Sequence, residues 1–394
     1  MRTVDETDHQ GDERQTMSKQ TDKPEWTPDD AGSEFASRVL TGVLGGHDGM
    51  QARAPEGTAG ARRDLSVEEH VAGVLAGDRT VLARTITLVE SNAPAHFEKG
   101  QEVLRQLLPH SERAIRVGIT GVPGAGKSTL IEALGLQLIQ AGHKVAVLAI
   151  DPTSSVTRGS ILGDKTRMSR LAREPNAFIR PSPTGGMLGG VARKTRESML
   201  VCAAAGFDVV LIETVGTGQS EITVRSMVDF FLLVLIPGGG DELQGIKKGV
   251  VELADAIAIN KADGPNRIKA EAARVEYNRA LHYLTATTPG WTPRAYVCSA
   301  ITEEGIDRLW RVVNDYVVRT QANGHFQARR RRQNLEWLHL LVDEQLRAYF
   351  YDHPAVRAIL PQIEQAVIAG DQPATAAARR LLTAVLIGGD NADK

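Results

Sequence analysis

Between residues 114 and 300 the chain carries six short runs that are apolar almost end to end: AIRVGIT (114–120), KVAVLAID (144–151), FDVVLIET (207–214), FFLLVLI (230–236), ADAIAIN (254–260) and RAYVCSA (294–300). A strand with one wet face alternates apolar and polar side chains, so a run without alternation must be covered on both faces. Helical stretches separate the runs. This arrangement predicts an α/β domain over 113–325, a doubly wound, mostly parallel sheet with helices on either side.

The flanks have a different character. Ser66 and Glu69 stand at capping-box spacing before SVEEHVAGVLAG, which predicts a helix start, and helical stretches follow at 80–91 and 96–108 with apolar residues three and four apart. From about 326 the pattern is wholly helical: a basic run at 329–332, NLEWLHLLVDEQLRAYF at 334–350, then stretches near 354–369 and 374–387. Residues 1–60 hold 12 Asp and Glu against 6 Lys and Arg, with scattered apolar residues and no sustained period. Such a stretch buries too little surface to offset its ordering entropy. The expected organisation is a disordered acidic tail over 1–60 with a short helix near 35–44, an N-terminal helical segment over 61–112, the α/β domain, and a helical arm over 326–394.

Composition removes several function classes. A formal net charge of −2 over 394 residues gives no basic footprint for a dedicated nucleic-acid binder. Two cysteines, Cys202 and Cys298, fit a reducing compartment and cannot form a cysteine-rich metal site alone. The longest apolar run, 230–236, is seven residues, against about 20 for a bilayer-spanning helix. The N-terminus has no apolar signal region and is too acidic for a mitochondrial presequence. A cytoplasmic protein without a membrane segment is expected.

The sharpest chemical signal is GVPGAGKST at 121–129. It fits G-x-x-x-x-G-K-[ST], follows a predicted strand, and opens an apolar helix marked by Leu130, Ile131, Leu134 and Leu138. Gly121, Gly124 and Gly126, with Val122, Pro123 and Ala125 between them, let the backbone fold around phosphate with its amides inward. The helix N-terminus at Lys127, Ser128 and Thr129 adds a favourable dipole. Lys127 should reach the β- and γ-phosphates, and the Ser128 hydroxyl should ligate Mg²⁺.

A second signal, NKAD at 260–263, follows the run 254–259. An Asp there can accept hydrogen bonds from guanine N1–H and its 2-amino group, which adenine does not offer. A buried carboxylate left unpaired rejects the wrong base by roughly 10⁴-fold or more. Asp263 is therefore expected to select GTP over ATP, Asn260 to tie its loop to the phosphate loop, and the Lys261 stem to cover the base. Ser299 and Ala300 end the next run, where backbone amides can meet the guanine oxygen.

Strand-end carboxylates supply a third group. Glu213 ends a run in ETVG (213–216), where many G proteins carry D-x-x-G. Its carboxylate can hold Mg²⁺ through water, and the Gly216 amide can contact the γ-phosphate. Asp151 in DPTS and Asp164 in GDKTRM are further candidates for one Mg²⁺ shell. Two segments, PSPTGGMLGG (181–190) and PGGGDELQGIKKG (237–249), read either as flexible, solvated loops or as switches that reorder with the γ-phosphate. No residue is an obvious general base. Gln219, just past ETVG, is the candidate for orienting water, so Lys127, Glu213 and Gln219 form the candidate catalytic set.

GITGVPGAGKST, LAIDPTSS, RPSPTGG-LGGVA, IETVGTGQSE, PGGGDELQGIKKG, NKAD and CSA occur in the order found in the MeaB/ArgK/MMAA family of G-protein chaperones. The chain resembles that family from about residue 66 to about 388, with residues 1–60 outside it. The resemblance implies a SIMIBI-class P-loop GTPase, a homodimer through the helical C-terminal arm. Its implied partner is an adenosylcobalamin-dependent acyl-CoA mutase, usually methylmalonyl-CoA mutase. Such proteins gate delivery of the cofactor, protect or restore the mutase, and hydrolyse GTP slowly unless it stimulates them. By motif, 121–129 hold the phosphates of GTP or GDP, and Ser128, Asp151, Asp164 and Glu213 form the Mg²⁺ neighbourhood. Asp263, Ser299, Ala300 and Ile301 surround guanine, and 237–249 is the additional switch. One departure is TGG at 184–186, where Arg or Ser is common at the second position.

Three rival readings bear on the same residues. A nickel chaperone of the same class needs Cys or His ligands near the switch strand, whereas the 10 His are dispersed. A small-molecule or protein kinase would need a phospho-acceptor site, and none is visible. A nucleic-acid patch at 329–332 competes with a solvated or interface face before an amphipathic helix.

Overall fold

Every apolar run becomes a strand in the computed structural model, which describes residues 63–151, 168–183, 188–214, 220–238, 248–284 and 287–389. The strands are β1 (Ile115–Gly121), β2 (Val145–Asp151), β3 (Ala177–Pro183), β4 (Val209–Glu213), β5 (Phe230–Leu235), β6 (Ala256–Ile259) and β7 (Ala295–Val297). They form one sheet in the order β3-β2-β4-β1-β5-β6-β7. All six pairings are parallel. The chain runs outward from β1 to one edge, returns beside β1 as β4, and continues to the other edge. The direction of winding reverses at β1, and ligands of such sheets bind beyond the carboxyl ends of the strands at that reversal.

One strand lay outside the six runs. β3 contains Arg180 and Pro181 and ends at Pro183, in the segment expected to be a loop over 181–190. Proline donates no ladder hydrogen bond and is tolerated on an edge, and β3 is an edge strand paired only with β2. Residues 188–190 also belong to a regular element, the start of a helix.

Alternate strand residues feed two cores. Ala146, Leu148, Val210, Ile212, Phe231 and Leu233 face one side. Val117, Ile119, Val147, Val209, Leu211 and Leu232 face the other. Fully burying each large aliphatic side chain contributes about 1.5–3 kcal/mol. The second face is covered by α4 (Lys127–Gln140), which starts at the phosphate motif, and by α9 (Ile306–Ala322).

The first face carries α1 (Val67–Leu75), α2 (Arg79–Val89), α3 (Pro94–Leu107) and α5 (Leu188–Ala204). α1 starts as its sequence predicts. Glu69 N donates to Ser66 Oγ at 3.2 Å and Ser66 N to Glu69 Oε2 at 2.8 Å. α2 and α3 meet α5 and β3 through polar contacts: Glu90 pairs with Arg180, Ser198 donates to Glu90 at 3.3 Å, and Gln101 donates to Glu197 at 3.1 Å.

Among the described residues the domain has three further helices, α6 (Ser220–Arg225), α7 (Lys248–Leu253) and α8 (Asn266–His282). Beyond α9 come α10 (His325–Asp352), α11 (Pro354–Ile368) and α12 (Ala374–Gly389). α10 begins inside the protein and ends outside it. Phe326, Arg330 and Gln333 are buried, whereas Leu335, Leu338, Val342, Leu346 and Tyr349 are exposed. Residues 65–394 form one unit. Among the described residues no helix is long and apolar enough to cross a membrane.

The basic run at 329–332 divides between the interior and solvent. Arg330 is buried against Asp229, and Arg329 approaches Asp255 at 3.4 Å beneath the sheet. Only Arg331 and Arg332 face solvent on that turn.

Candidate functional site

The phosphate motif spans the turn from β1 to α4. Gly121 has φ +151°, and a Cβ there would fall 2.0 Å from Val234 O, so only glycine lets the strand leave the sheet at that point. Gly126 caps α4 at φ +83°, and a Cβ on it would meet Asn260 Nδ2 at 2.8 Å. Pro123, Gly124 and Thr129 are exposed, Val122 is half-buried and Ala125 is buried.

Lys127 folds back over this turn. Its ammonium donates to Gly121 O at 2.9 Å and Val122 O at 3.2 Å. Burial lowers its pKa, while the carboxylates of Glu213 and Glu221 pull it back up. Ser128 Oγ donates to Glu213 Oε1 at 2.7 Å, joining the start of α4 to the end of β4. A hydroxyl beside a carboxylate is a hard-oxygen donor set that suits Mg²⁺, which keeps several of its own waters. Ser128 and Glu213 therefore fit the ion. Asp151 closes β2 at the same rim, two positions past Ala149, which lies in register with Glu213. Asp164, Gly216 and Gln219 lie outside the described residues, as do most of the segment 237–249, the helix expected near 35–44 and the whole of the tail 1–60.

Asn260 binds three loops together. It is 1% exposed; its Nδ2 donates to Ala125 O at 2.9 Å, and its Oδ1 accepts from Ala300 N at 3.0 Å. The NKAD loop, the phosphate loop and the Ser299–Ala300 turn thus share one side chain. Lys261 follows at φ +59°, a left-handed conformation that costs a non-glycine residue about 1–3 kcal/mol. Its stem crosses the phosphate loop, with Cε 3.8 Å from where a Gly126 Cβ would lie. Asp263 Oδ1 accepts from Ser299 Oγ at 2.9 Å, and Thr302 N donates to Ser299 Oγ at 3.3 Å. Ile301 stands 75% exposed beside them.

Two features here escaped sequence reasoning. Glu221, 4% exposed, acts on Lys127 from the first turn of α6; it stood in plain view within IETVGTGQSE. Gly305, at φ +78°, admits no side chain because a Cβ would meet Val297 O at 2.7 Å. Its neighbour Glu304 accepts the Ser299 N–H at 2.9 Å, which fixes the turn under Asp263.

A parallel sheet that brings a phosphate loop and an Asn-Lys-x-Asp loop to one rim, joined by a buried asparagine, belongs to the P-loop GTPases. Within that class the chain is a member of the family described as methylmalonyl Co-A mutase-associated GTPase MeaB, whose model matches residues 82–355. A Caulobacter vibrioides protein is 56% identical over 321 residues, spanning 82% of this chain and 98% of that one. GTPase ArgK of Escherichia coli is 48% identical over 283 residues, 72% of this chain and 86% of its own. The mouse methylmalonic aciduria type A homolog, mitochondrial, is 41% identical over 347 residues, 85% and 84% of the two chains. The crystal structure of a LAO/AO transport system kinase superposes with a TM-score of 0.67 at 37% identity, covering 82% of this chain and 99% of that one. The protein is a GTPase that binds guanine nucleotide.

Proposed function

We propose that this GTPase couples GTP hydrolysis to the loading, protection or reactivation of an adenosylcobalamin-dependent acyl-CoA mutase, with methylmalonyl-CoA mutase as the first partner to test. The observation that carries the nucleotide reading is the Asn260 side chain, which holds phosphate loop and base loops in one frame. Family membership carries the partner.

In this reading the amides of 121–129 cradle the β- and γ-phosphates. Lys127 turns its protons from Gly121 O and Val122 O to phosphate oxygens. Asp263 releases the Ser299 hydroxyl to accept from guanine N1–H and the 2-amino group, while Ser299, Ala300 and Ile301 line the base. Ser128 and Glu213 would hold Mg²⁺, with Asp151 and Asp164 as the further candidate ligands, and the ion would neutralise phosphate charge. Water attacks the γ-phosphorus, the bond to the β–γ bridging oxygen breaks, and GDP and phosphate leave. Lys127 and the loop amides stabilise the charge on that oxygen. Gln219 orients the water, and docking of the mutase completes the arrangement, so slow turnover is expected of the protein alone.

The protein acts in the cytoplasm as a homodimer through the arm 326–394. The stripe Leu335, Leu338, Val342, Leu346 and Tyr349 on α10 gives that arm a contact face. Steady-state GTP turnover, alone and with the host's methylmalonyl-CoA mutase, tests the reading, with ATP as control. Weak GTP turnover that rises severalfold with mutase is expected, with no turnover of ATP. GTP hydrolysis indifferent to that mutase moves the search to another acyl-CoA mutase.

A further inference from the structure

α6 is six residues long, yet both of its ends act on distant parts of the protein. At its start, buried Glu221 exerts its charge on Lys127 of the phosphate loop. At its end, Arg225 donates from Nε to Leu253 O at 2.9 Å and from Nη2 to Asp255 Oδ1 at 3.4 Å. Residues four apart on a helix lie above one another on one face. Between them Val224 is wholly buried against β1, where Gly118 makes the room: a Cβ on Gly118 would lie 2.8 Å from Val224 Cγ1.

The far end of α6 meets the helical arm. Gln333 of α10 donates from Nε2 to Val228 O at 2.9 Å and to Arg225 O at 3.4 Å. Arg329, on the same helix, approaches the other oxygen of Asp255 at 3.4 Å. Asp255 itself is held to the sheet by Phe231 N at 2.9 Å and by Thr288 Oγ1 at 3.2 Å. One fixed carboxylate, two residues beyond the end of α7, therefore collects the last residue of α6 and the first turns of α10.

We propose that α6 is a lever: Glu221 responds to the charge at the phosphate loop, and Arg225 passes the resulting shift to the helical arm through Asp255 and Gln333. The proposal rests on the reading of 121–129 as the phosphate site of a guanine nucleotide. Phosphate draws the Lys127 ammonium toward itself and brings negative charge close to Glu221. Like charges in a buried site repel strongly. The Glu221 end of α6 moves away from the loop, and a helix this short carries its Arg225 end along. The contacts at 3.4 Å, Arg225 to Asp255 and Gln333 to Arg225 O, stand at the outer edge of hydrogen bonding, so a sub-ångström shift makes or breaks them. Glu221 and Arg225 are positioning residues in this scheme.

Hydrogen–deuterium exchange of the full chain tests the lever, compared without nucleotide, with GDP and with a non-hydrolysable GTP analogue. In the wild type, exchange across residues 333–345 of α10 is expected to differ between the GDP and analogue states. Arg225→Met should lose that difference while binding a fluorescent GDP analogue with unchanged affinity. Glu221→Gln should also lose it, and Glu221→Asp should retain it, a pattern that a purely structural role would not produce. Should Arg225→Met fail to fold, Gln333→Ala cuts the second link, the one from the arm to the carbonyls of Arg225 and Val228. A folded Arg225→Met or Gln333→Ala protein with the wild-type difference intact overturns the lever, as does a wild type whose α10 ignores bound nucleotide. Absence of any guanine-nucleotide binding by the wild type overturns the nucleotide reading, and the lever with it.

Discussion

The two rims of the sheet use polar residues in opposite ways. At the carboxyl rim Lys127 donates to carbonyls of its own loop, Ser128 to Glu213, and Ser299 to Asp263. Each of these groups can exchange its partner for a ligand atom and keep its hydrogen bonds. At the amino rim Asp229 accepts from Arg330 Nε at 2.7 Å, Arg330 Nη2 at 2.6 Å and Arg116 N at 2.9 Å. Arg330 also donates to Glu112 O and Ala114 O, so its protons are committed within the chain. Both rims are charged, and Lys127 on one and Asp229 on the other are buried. Exchangeable partners are what mark a binding site, and committed partners are what mark a joint.

The largest effect expected from this contrast is at the joint. Arg330→Ala leaves Asp229 charged in the interior without its guanidinium, and breaking such a pair costs about 3–5 kcal/mol. Urea denaturation should show that loss, with guanine-nucleotide affinity of the folded fraction unchanged. Arg330→Lys should recover only part of it, because one ammonium cannot reproduce a planar fork. A loss of nucleotide affinity as large as the loss of stability would mean that the rims are not separate.

The same contrast gives the opposite signature for Lys127→Ala. Removing a donor aimed at developing phosphate charge should lower GTP turnover about 10²–10³-fold. Stability should hold, since the substitution removes a buried cation whose charge burial disfavours. Turnover and thermal melting measured on one preparation decide it. Melting depressed as far as in Arg330→Ala would show that the phosphate loop, too, is held by Lys127 as a joint.

The carboxyl rim was far more legible in the sequence than the amino rim. Gly121, Lys127, Asn260 and Asp263 occur in blocks whose spacing reflects ligand geometry, so the residues that meet in space are already grouped along the chain. The joint has no such grouping. Asp229 stands just before one apolar run and Asp255 second in another, and both look like strand-end charges, while Arg329 and Arg330 look like part of a solvated run. Only the fold brings residues 101 positions apart into one ion pair. β3 was missed for a related reason: Pro181 and Arg180 argue against a strand until it is known to lie on an edge. Ser66 and Glu69 were readable because their capping needs nothing beyond four consecutive residues.

Asp255 gives the smallest and most pointed test, because it belongs to the joint yet its charge is not secure. Burial raises its pKa from 3.8 to about 6, against the opposing pull of Arg225, the Phe231 N–H and Thr288, with Asp229 adding to the rise. Arg329 and Tyr316 complete the charged and titratable groups around it. The folded protein thus keeps this proton up to about pH 6, whereas the unfolded chain releases it near 3.8. Across that window the native state binds more protons, so rising pH destabilises it. A rise of about two units corresponds to about 3 kcal/mol. The stability of the wild type relative to Asp255→Asn should therefore fall by up to that amount between pH 4 and pH 6.5, then stay level. Denaturation of both proteins across the range checks this. A relative stability that instead rises with pH would mean that Arg225 and Arg329 outweigh burial, making Asp255 as fully committed a partner as Asp229.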